Sequence, residues 1–146
     1  MTGYFLLQED NKAMIGSNAF NYINVLNKAA DASWTRNAVI ANNIANNDTP
    51  HYKRKDILFE DYLKKEVMKD YYDGGDLNKR IANVDLSKLG TTIYTDQSEL
   101  SYRYDENNVD INTENANLAQ NQIKYYTLLD SMSQEFSRIK SVLNRS

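Results

Sequence analysis

The chain has 146 residues with 17 basic and 20 acidic side chains, a size that suits one modest domain. Its net charge of −3 disfavours a nucleic-acid partner, and the lack of cysteine excludes disulfides and thiolate metal sites. With one histidine, His51, the usual general base is nearly absent, and no nucleophile–base constellation is recognisable in the sequence. We therefore expect no enzyme, cofactor, metal or small-molecule substrate. No apolar run is long enough to predict a membrane span.

Residues 1–16 are predicted to form an N-terminal extension that is flexible. They include a short apolar patch, Tyr4-Phe5-Leu6-Leu7, but no basic leader and no small-residue cleavage site. A cleaved signal peptide is therefore not expected. If the protein leaves the cytoplasm, it needs another route.

A long helix is predicted from Ser17 to about Asn46, because neither glycine nor proline interrupts this stretch. Ser17 or Asn18 can cap its start, and Pro50 lies just beyond its end. Alternating steps of three and four residues define a mostly apolar seam, typical of a helix that packs on another helix. The seam consists of Ile23, Leu26, Ala30, Ser33, Asn37, Ile40 and Ile44.

The middle region, residues 49–111, is predicted to be small and mixed. A short amphipathic helix is expected from Phe59 to about Tyr71, and residues 76–90 read as polar and irregular. Residues 91–95 and 101–104 have the threonine and tyrosine content of short strands, which can pair as a hairpin.

A second long helix is predicted from about Thr113 to Leu143. Asp110 or Asn112 can cap it, and Glu114 in the first turn suits the helix dipole. Its seam is almost entirely apolar and consists of Leu118, Gln122, Tyr125, Leu129, Met132, Phe136, Ile139 and Leu143.

The predicted fold class is therefore mainly α. Long N- and C-terminal helices, residues 17–48 and 112–146, pair as a coiled-coil-like bundle, antiparallel or parallel, beside an irregular or β middle region. Apolar residues flank both seams, and they either pack on the middle region or are covered by neighbouring subunits. They are Phe20, Trp34 and Val39 in the first helix and Ala119, Ile123, Tyr126 and Val142 in the second.

The end of the first predicted helix is rich in asparagine side chains. Asn42 and Asn46, and likewise Asn43 and Asn47, are four residues apart, so amides line one side of the final turns. We expect these amides to satisfy helix-end carbonyls or to bond a neighbouring chain. Thr49-Pro50 forces the chain out of the helix, and Tyr52 offers a ring and a hydroxyl to anchor the turn.

Residues 41–56 resemble the signature N-I-A-N-x-x-T-P-G-Y of flagellar rod, hook and hook-associated proteins. The matching residues are Asn43, Ile44, Ala45, Asn46, Thr49, Pro50 and Tyr52. A second stretch is similar to the R-x-D-G-N-N-V-D pattern of FlgB-type rod proteins, through Arg103, Asp105, Asn107, Asn108, Val109 and Asp110. Residues 118–125 also match the A-x-N-Q-x-x-Y pattern of that subfamily. The resemblance covers about residues 18–69 and 102–143.

Three departures from the family accompany this resemblance. His51 and Glu106 stand where the family usually has glycine. Glycine at these positions suggests a positive φ, so the two substitutions leave the geometry of the local turns undecided. Family members also usually begin near Met14, so residues 1–13 are expected to be either extra sequence or the result of a mis-assigned start.

The resemblance implies a structural subunit of the proximal rod of the flagellar basal body. It would be exported by the flagellar type III apparatus without signal cleavage, and would polymerise through its terminal helices to transmit torque for motility. Its partners would be copies of itself, other rod proteins and proteins at the junction of the membrane ring and the rod. Assembly would use the motif residues above together with Leu118, Tyr125, Leu129, Met132, Phe136 and Ile139. Two alternatives remain: a helical-hairpin binding module such as a flagellar export chaperone, or another rod protein of the family.

Overall fold

The computed structural model describes residues 3–69, 76–97 and 104–144, with side chains from Phe20 onward. Two long helices dominate it: α1 spans Gly3–Ala45 and α4 spans Ile111–Leu143. They lie side by side and antiparallel, since Asn43 near the end of α1 contacts Glu114 at the start of α4. The mainly α fold with paired terminal helices is thereby confirmed, and the open question of orientation is decided.

The ends of the helices follow local chemistry. Asp110 is the N-cap of α4, and its Oδ1 accepts a hydrogen bond from the Asn112 backbone N–H at 2.9 Å. At the end of α1, Asn46 Nδ2 donates to the Asn42 carbonyl at 2.8 Å, as predicted for the amides of this turn. The start of α1 at Gly3 precedes the predicted start at Ser17, and the helix continues through Gly16 although glycine is a weak helix former. Ser17 and Asn18 therefore lie within the helix and do not cap its start. The flexibility of residues 1–16 stays a prediction.

The middle region contains one two-stranded antiparallel sheet. Strand β1, Lys55–Leu58, pairs with strand β2, Thr92–Thr95, so that Ile57 faces Ile93. The predicted strand over 91–95 is confirmed, but the predicted pairing with 101–104 is not what this sheet shows. Its partner comes from the segment after α1, which carried no strand prediction. Residues 101–103 lie outside the described residues.

Short helices complete the middle region. Helix α2, Glu60–Met68, confirms the predicted amphipathic helix. Helix α3, Leu77–Ala82, and a 3₁₀ turn, Leu86–Lys88, replace the irregular structure expected for 76–90. The side chain of Asn21 on α1 donates to the carbonyls of Ile81 and Ala82, the last two residues of α3. This contact fixes the C-terminal end of α3 on α1, and no local sequence pattern predicts it.

The apolar core lies between α1 and the middle region. Val25, Ala29, Ala32 and Val39 form one face of α1, and they pack on buried residues of the middle region. Those partners are Ile57, Phe59, Val84 and Leu89. The predicted seam of α1 forms a second face, on which Ile23, Ala30, Ser33 and Ile40 are buried. Helix α1 therefore packs against two parts of the chain, the middle region on one face and α4 on the other. None of the described helices is long and apolar enough to cross a membrane.

Candidate assembly site

Asn43 is the centre of a polar cluster where α1 ends and α4 begins. Its side chain is fully buried and uses all of its hydrogen-bonding capacity. The amide nitrogen donates to the Lys55 carbonyl at 2.8 Å and to Glu114 Oε2 at 2.9 Å. The amide oxygen accepts from the Lys55 N–H at 3.0 Å and from the Tyr52 hydroxyl at 3.2 Å. This residue thus joins α1, the start of β1 and α4, and Tyr52 anchors the turn as the sequence indicated. Burial raises the pKa of Tyr52 above its usual value.

Glu114 brings a carboxylate into the same cluster with no exposure to solvent. Arg54 Nε donates to Glu114 Oε1 at 2.7 Å, and Arg54 Nη2 donates to Asp56 Oδ2 at 2.9 Å. Burial alone would lower the pKa of Arg54, but the hydrogen bonds to Glu114 and Asp56 raise it. A buried carboxylate is tolerated only when paired and hydrogen-bonded, so Asn43 and Arg54 are what allow Glu114 to lie there.

A second charged cluster links α1, α2 and the middle of α4. Arg36 contacts both oxygens of Glu60, at 2.6 and 2.5 Å, and Lys124 on α4 donates to the same carboxylate. The hydrogen bond from Arg36 is the main reason that the pKa of Glu60 falls to about 2. Burial opposes this shift and the bond from Lys124 adds to it. The cluster therefore holds α4 against α2 through charge.

An open groove of about 640 Å³ lies over these two clusters. Its walls include Arg36, Arg54 and Lys124, each paired with a carboxylate of the same chain. Each of these cations therefore has its charge balanced at least in part within the chain. The groove is best explained as the gap above a structural clamp.

Asn107 organises the loop that leads into α4. Its side chain is buried, and its Nδ2 lies 2.9 Å from each of three carbonyls, those of Asn46, Asn47 and Thr49. Its Oδ1 accepts from the Val109 N–H at 2.8 Å. The carbonyls left open at the end of α1 are thus bonded by Asn107 from the other loop as well as by Asn46.

The rest of the second motif surrounds this loop. Asn108 Oδ1 accepts from the Arg54 N–H at 2.6 Å, and its Nδ2 donates to the Asp96 carbonyl at 3.0 Å. Asp105 Oδ1 accepts from the Asn107 N–H at 3.2 Å, and Val109 is buried. The two motifs are therefore in direct contact. Arg103 lies outside the described residues.

The remaining residues of the first motif are less enclosed. Ile44 is half-buried, and Ala45, Thr49 and Pro50 are exposed. His51 and Glu106 have φ values of 60° and 56°, so the backbone adopts at both positions the conformation that the family's usual glycine indicates.

The predicted seam of α4 divides between two faces. Leu118, Tyr125, Met132 and Ile139 are half-buried. The two α4 residues that are fully buried are both polar, Glu114 and Asn121. Asn121 Nδ2 donates to the Ser33 carbonyl at 2.7 Å and to Asn37 Oδ1 at 2.9 Å.

The other half of the seam points away from α1. Leu129 is 38% exposed and Phe136 is 54% exposed, so one helical partner does not cover the whole seam. Together with Tyr126 and Leu143, both 68% exposed, they form what we call the outer face of α4. Trp34 of α1 joins this surface through Tyr125, with ring centroids 6.0 Å apart.

Of the two explanations of the flanking apolar residues, packing on the middle region holds for one residue, and cover by neighbouring subunits stays a prediction for the exposed ones. Val39 packs on the middle region of the same chain. The exposed members are Phe20, Trp34, Ala119, Ile123, Tyr126 and Val142.

Sequence analysis missed the structural roles of Arg54, Glu114 and Asn121. Arg54 belongs to a short basic run, Lys53-Arg54-Lys55, and such a run in a loop usually indicates a solvated edge; the predicted role of Glu114 was limited to the helix dipole. Asn121 interrupts no apolar pattern. Only contacts between residues 60 to 88 positions apart identify their roles.

Comparison with known proteins gives a consistent family. No family model matches the sequence. The flagellar basal body rod protein FlgB of Bacillus subtilis is 36% identical over 123 residues, which cover 81% of this chain and 89% of that protein. The FlgB of Borreliella burgdorferi is 34% identical over 121 residues, covering 77% and 88%. The FlgB of Escherichia coli is 32% identical over 117 residues, covering 74% and 82%. This chain therefore belongs to the FlgB family of flagellar basal body rod proteins.

Proposed function

We propose that this chain is a structural subunit of the rod of the bacterial flagellar basal body, in which it transmits torque without doing chemistry. Its relatives carry the name of a flagellar basal body rod protein, and the charged groups along its open groove are paired with each other. Such a subunit needs stiffness and contacts with its neighbours.

The outer face of α4 is the observation that carries this proposal. Tyr126, Leu129, Phe136 and Leu143 recur at steps of three or seven residues along one stripe of a 33-residue helix, and all are exposed. An apolar stripe of that length is typical of a helix with a second helical partner. We infer that neighbouring subunits cover it. Contacts between different faces of successive copies need not close, which is how a helical rod grows.

The polar clusters have a complementary role in the proposal. Asn43, Glu114 and Asn107 fix the end of α1 against the start of α4, so that load applied to one terminal helix passes directly to the other. Leu118, Tyr125, Met132 and Ile139 form the half-buried line along which the helices pair within one subunit.

The partners proposed are other rod proteins, further copies of this chain and proteins at the junction of the membrane ring and the rod. Delivery by the flagellar type III apparatus without signal cleavage belongs to the same proposal. An outer face that is covered only after delivery would delay polymerisation until the subunit reaches its site, with ordering completed on docking.

Site-directed photo-crosslinking in intact basal bodies tests the proposal. A photoreactive residue at Phe136 should give crosslinks to rod proteins or to a second copy. The same residue at Lys64, which is exposed on α2 and does not belong to the outer face of α4, serves as the control. Equal crosslinking at both positions, or none at Phe136 in motile cells, would contradict a role for the outer face.

A further inference from the structure

The loop that leaves α1 and the loop that enters α4 lie against each other. The His51 backbone N–H donates to the Asp105 carbonyl at 2.8 Å, and Lys53 Nζ donates to the Glu106 carbonyl at 2.8 Å. The two loops therefore meet edge to edge at residues 51–53 and 105–106. This junction sets the distance between the end of one terminal helix and the start of the other.

Both loops contain a residue in an unfavourable backbone conformation at this junction. His51 and Glu106 are the two non-glycine residues with positive φ in the described part of the chain. Only a few per cent of residues other than glycine adopt this conformation; asparagine, aspartate and histidine do so more often than glutamate, and it persists where surrounding contacts hold it. Both side chains are mostly exposed, so apolar packing is not what holds them.

The side chains of these two residues contact each other. His51 Nδ1 lies 3.2 Å from Glu106 Oε2, across the junction and 55 positions apart in sequence. Two strained positions on separate loops are thus joined by a polar contact between the residues that bear the strain.

We propose that His51 and Glu106 form a clasp between the loops, which replaces the backbone freedom of two glycines with a direct link. With glycine at both positions the loops could adopt many conformations at little cost. With His51 and Glu106 the allowed conformations are few, and the side-chain contact selects the one in which the loops are joined. The clasp stiffens the connection between α1 and α4. It goes beyond the proposed function, because it holds whether or not the outer face of α4 binds a neighbour.

A double-mutant cycle on the full chain tests the clasp. The variants are His51→Ala, Glu106→Ala and the pair, since alanine removes the contact and keeps the cost of positive φ. Hydrogen exchange of the residue 51 amide, followed by NMR, reports opening of the bond to Asp105. Each single variant should speed this exchange by about two- to fivefold, as expected for an exposed polar pair. The double variant should exchange no faster than the faster single variant.

Multiplicative effects of the two substitutions would overturn the proposal, because independent residues give independent factors. As a control, His51→Ala combined with Asp61→Ala, on the exposed surface of α2, should give the product of the single effects. A double-glycine variant, His51→Gly with Glu106→Gly, provides a second test. Its free energy of unfolding should be no lower than that of the wild type, but its residue 51 amide should exchange hydrogen faster. Exchange as slow as in the wild type would also overturn the proposal.

Discussion

The inner and outer faces of α4 differ from those of a usual amphipathic helix, because the most deeply buried side chains are polar and part of the apolar seam is exposed. On the inner face, the two fully buried side chains are a carboxylate and an amide, Glu114 and Asn121. On the outer face, Leu129 and Phe136 are exposed. Polar bonds have fixed directions and partners, whereas apolar contacts do not. Polar bonds thus help to align the helix within its subunit, beside the half-buried apolar line of Leu118, Tyr125, Met132 and Ile139, while the outer face stays exposed in the single chain.

The largest effect on stability is expected from Glu114→Ala. The substitution removes the buried carboxylate that Arg54 Nε contacts, although Asp56 still pairs with Arg54, and it leaves one donor of the buried Asn43 amide unpaired. Together these losses should cost about 3–5 kcal/mol of unfolding free energy. Urea denaturation of the purified chain measures this loss. The exposed neighbour Asn115, changed to alanine, is the matched control and should change stability by less than about 0.5 kcal/mol. Similar values for the two variants would mean that the inner face is not aligned by polar bonds.

Asn107→Ala should have the next largest effect. It removes the donor shared by three carbonyls at the end of α1 and the acceptor of the Val109 N–H, so we expect a loss of about 2–3 kcal/mol. The same denaturation experiment applies. Asn112→Ala is the control, because it also removes one asparagine amide but from the exposed first turn of α4. It should hardly change the free energy of unfolding. An Asn107 variant as stable as the Asn112 variant would show that the carbonyls find other partners.

Acid should weaken the charged cluster around Glu60. The pKa of Glu60 is depressed from its ordinary 4.5 to about 2, so its contribution is present above pH 4.5 and is lost as the pH falls towards 2. Because the side chain is partly exposed, screening reduces this contribution to about 1 kcal/mol at neutral pH.

Glu60→Gln tests this contribution. The variant should be less stable than the wild type at pH 7, and the difference should disappear near pH 2, as followed by thermal unfolding at several pH values. Asp61→Asn, one residue along α2, controls for the change in net charge. A difference between wild type and Glu60→Gln that is unchanged across this range would show that the charged cluster does not link α2 and α4.

The smallest effect on the isolated chain is expected from the outer face. Leu129→Asp combined with Phe136→Asp should change the free energy of unfolding by less than about 1 kcal/mol, because both side chains are already exposed. The same variant should abolish swimming when it replaces the wild-type protein in cells. Normal swimming, or a strongly destabilised monomer, would remove the distinction between the two faces.

Much of the fold could be predicted locally. The two long helices follow from stretches without glycine or proline and from heptad spacing, and Asp110 as N-cap follows from residue type. The sheet could not be predicted in the same way, because strand β2 pairs with a segment that lies on the far side of two helices in sequence. The pairing of the two strands depends on where the end of α1 places strand β1, and that position is set by tertiary packing.

The candidate site was also predicted only in part. Its motif residues could be identified from the sequence, since their spacing is diagnostic of the family. The structural roles of these residues could not be predicted. Asn43 reads as one of several helix-end amides, yet it is the one that is fully buried and joined to Glu114, 71 positions away.

By itself, the sequence determined the helical class and the family, because these depend on residue type and short-range spacing. It left the turns at positions 51 and 106 undecided, since histidine and glutamate stand where the family usually has glycine. The tertiary structure alone decided that α1 and α4 run antiparallel. It also decided which half of the apolar seam of α4 faces inward. A heptad pattern defines a stripe but not its neighbour, and buried polar groups such as Glu114 and Asn121 must meet particular partners. Those partners fix the rotation of α4 and leave Leu129 and Phe136 facing outward.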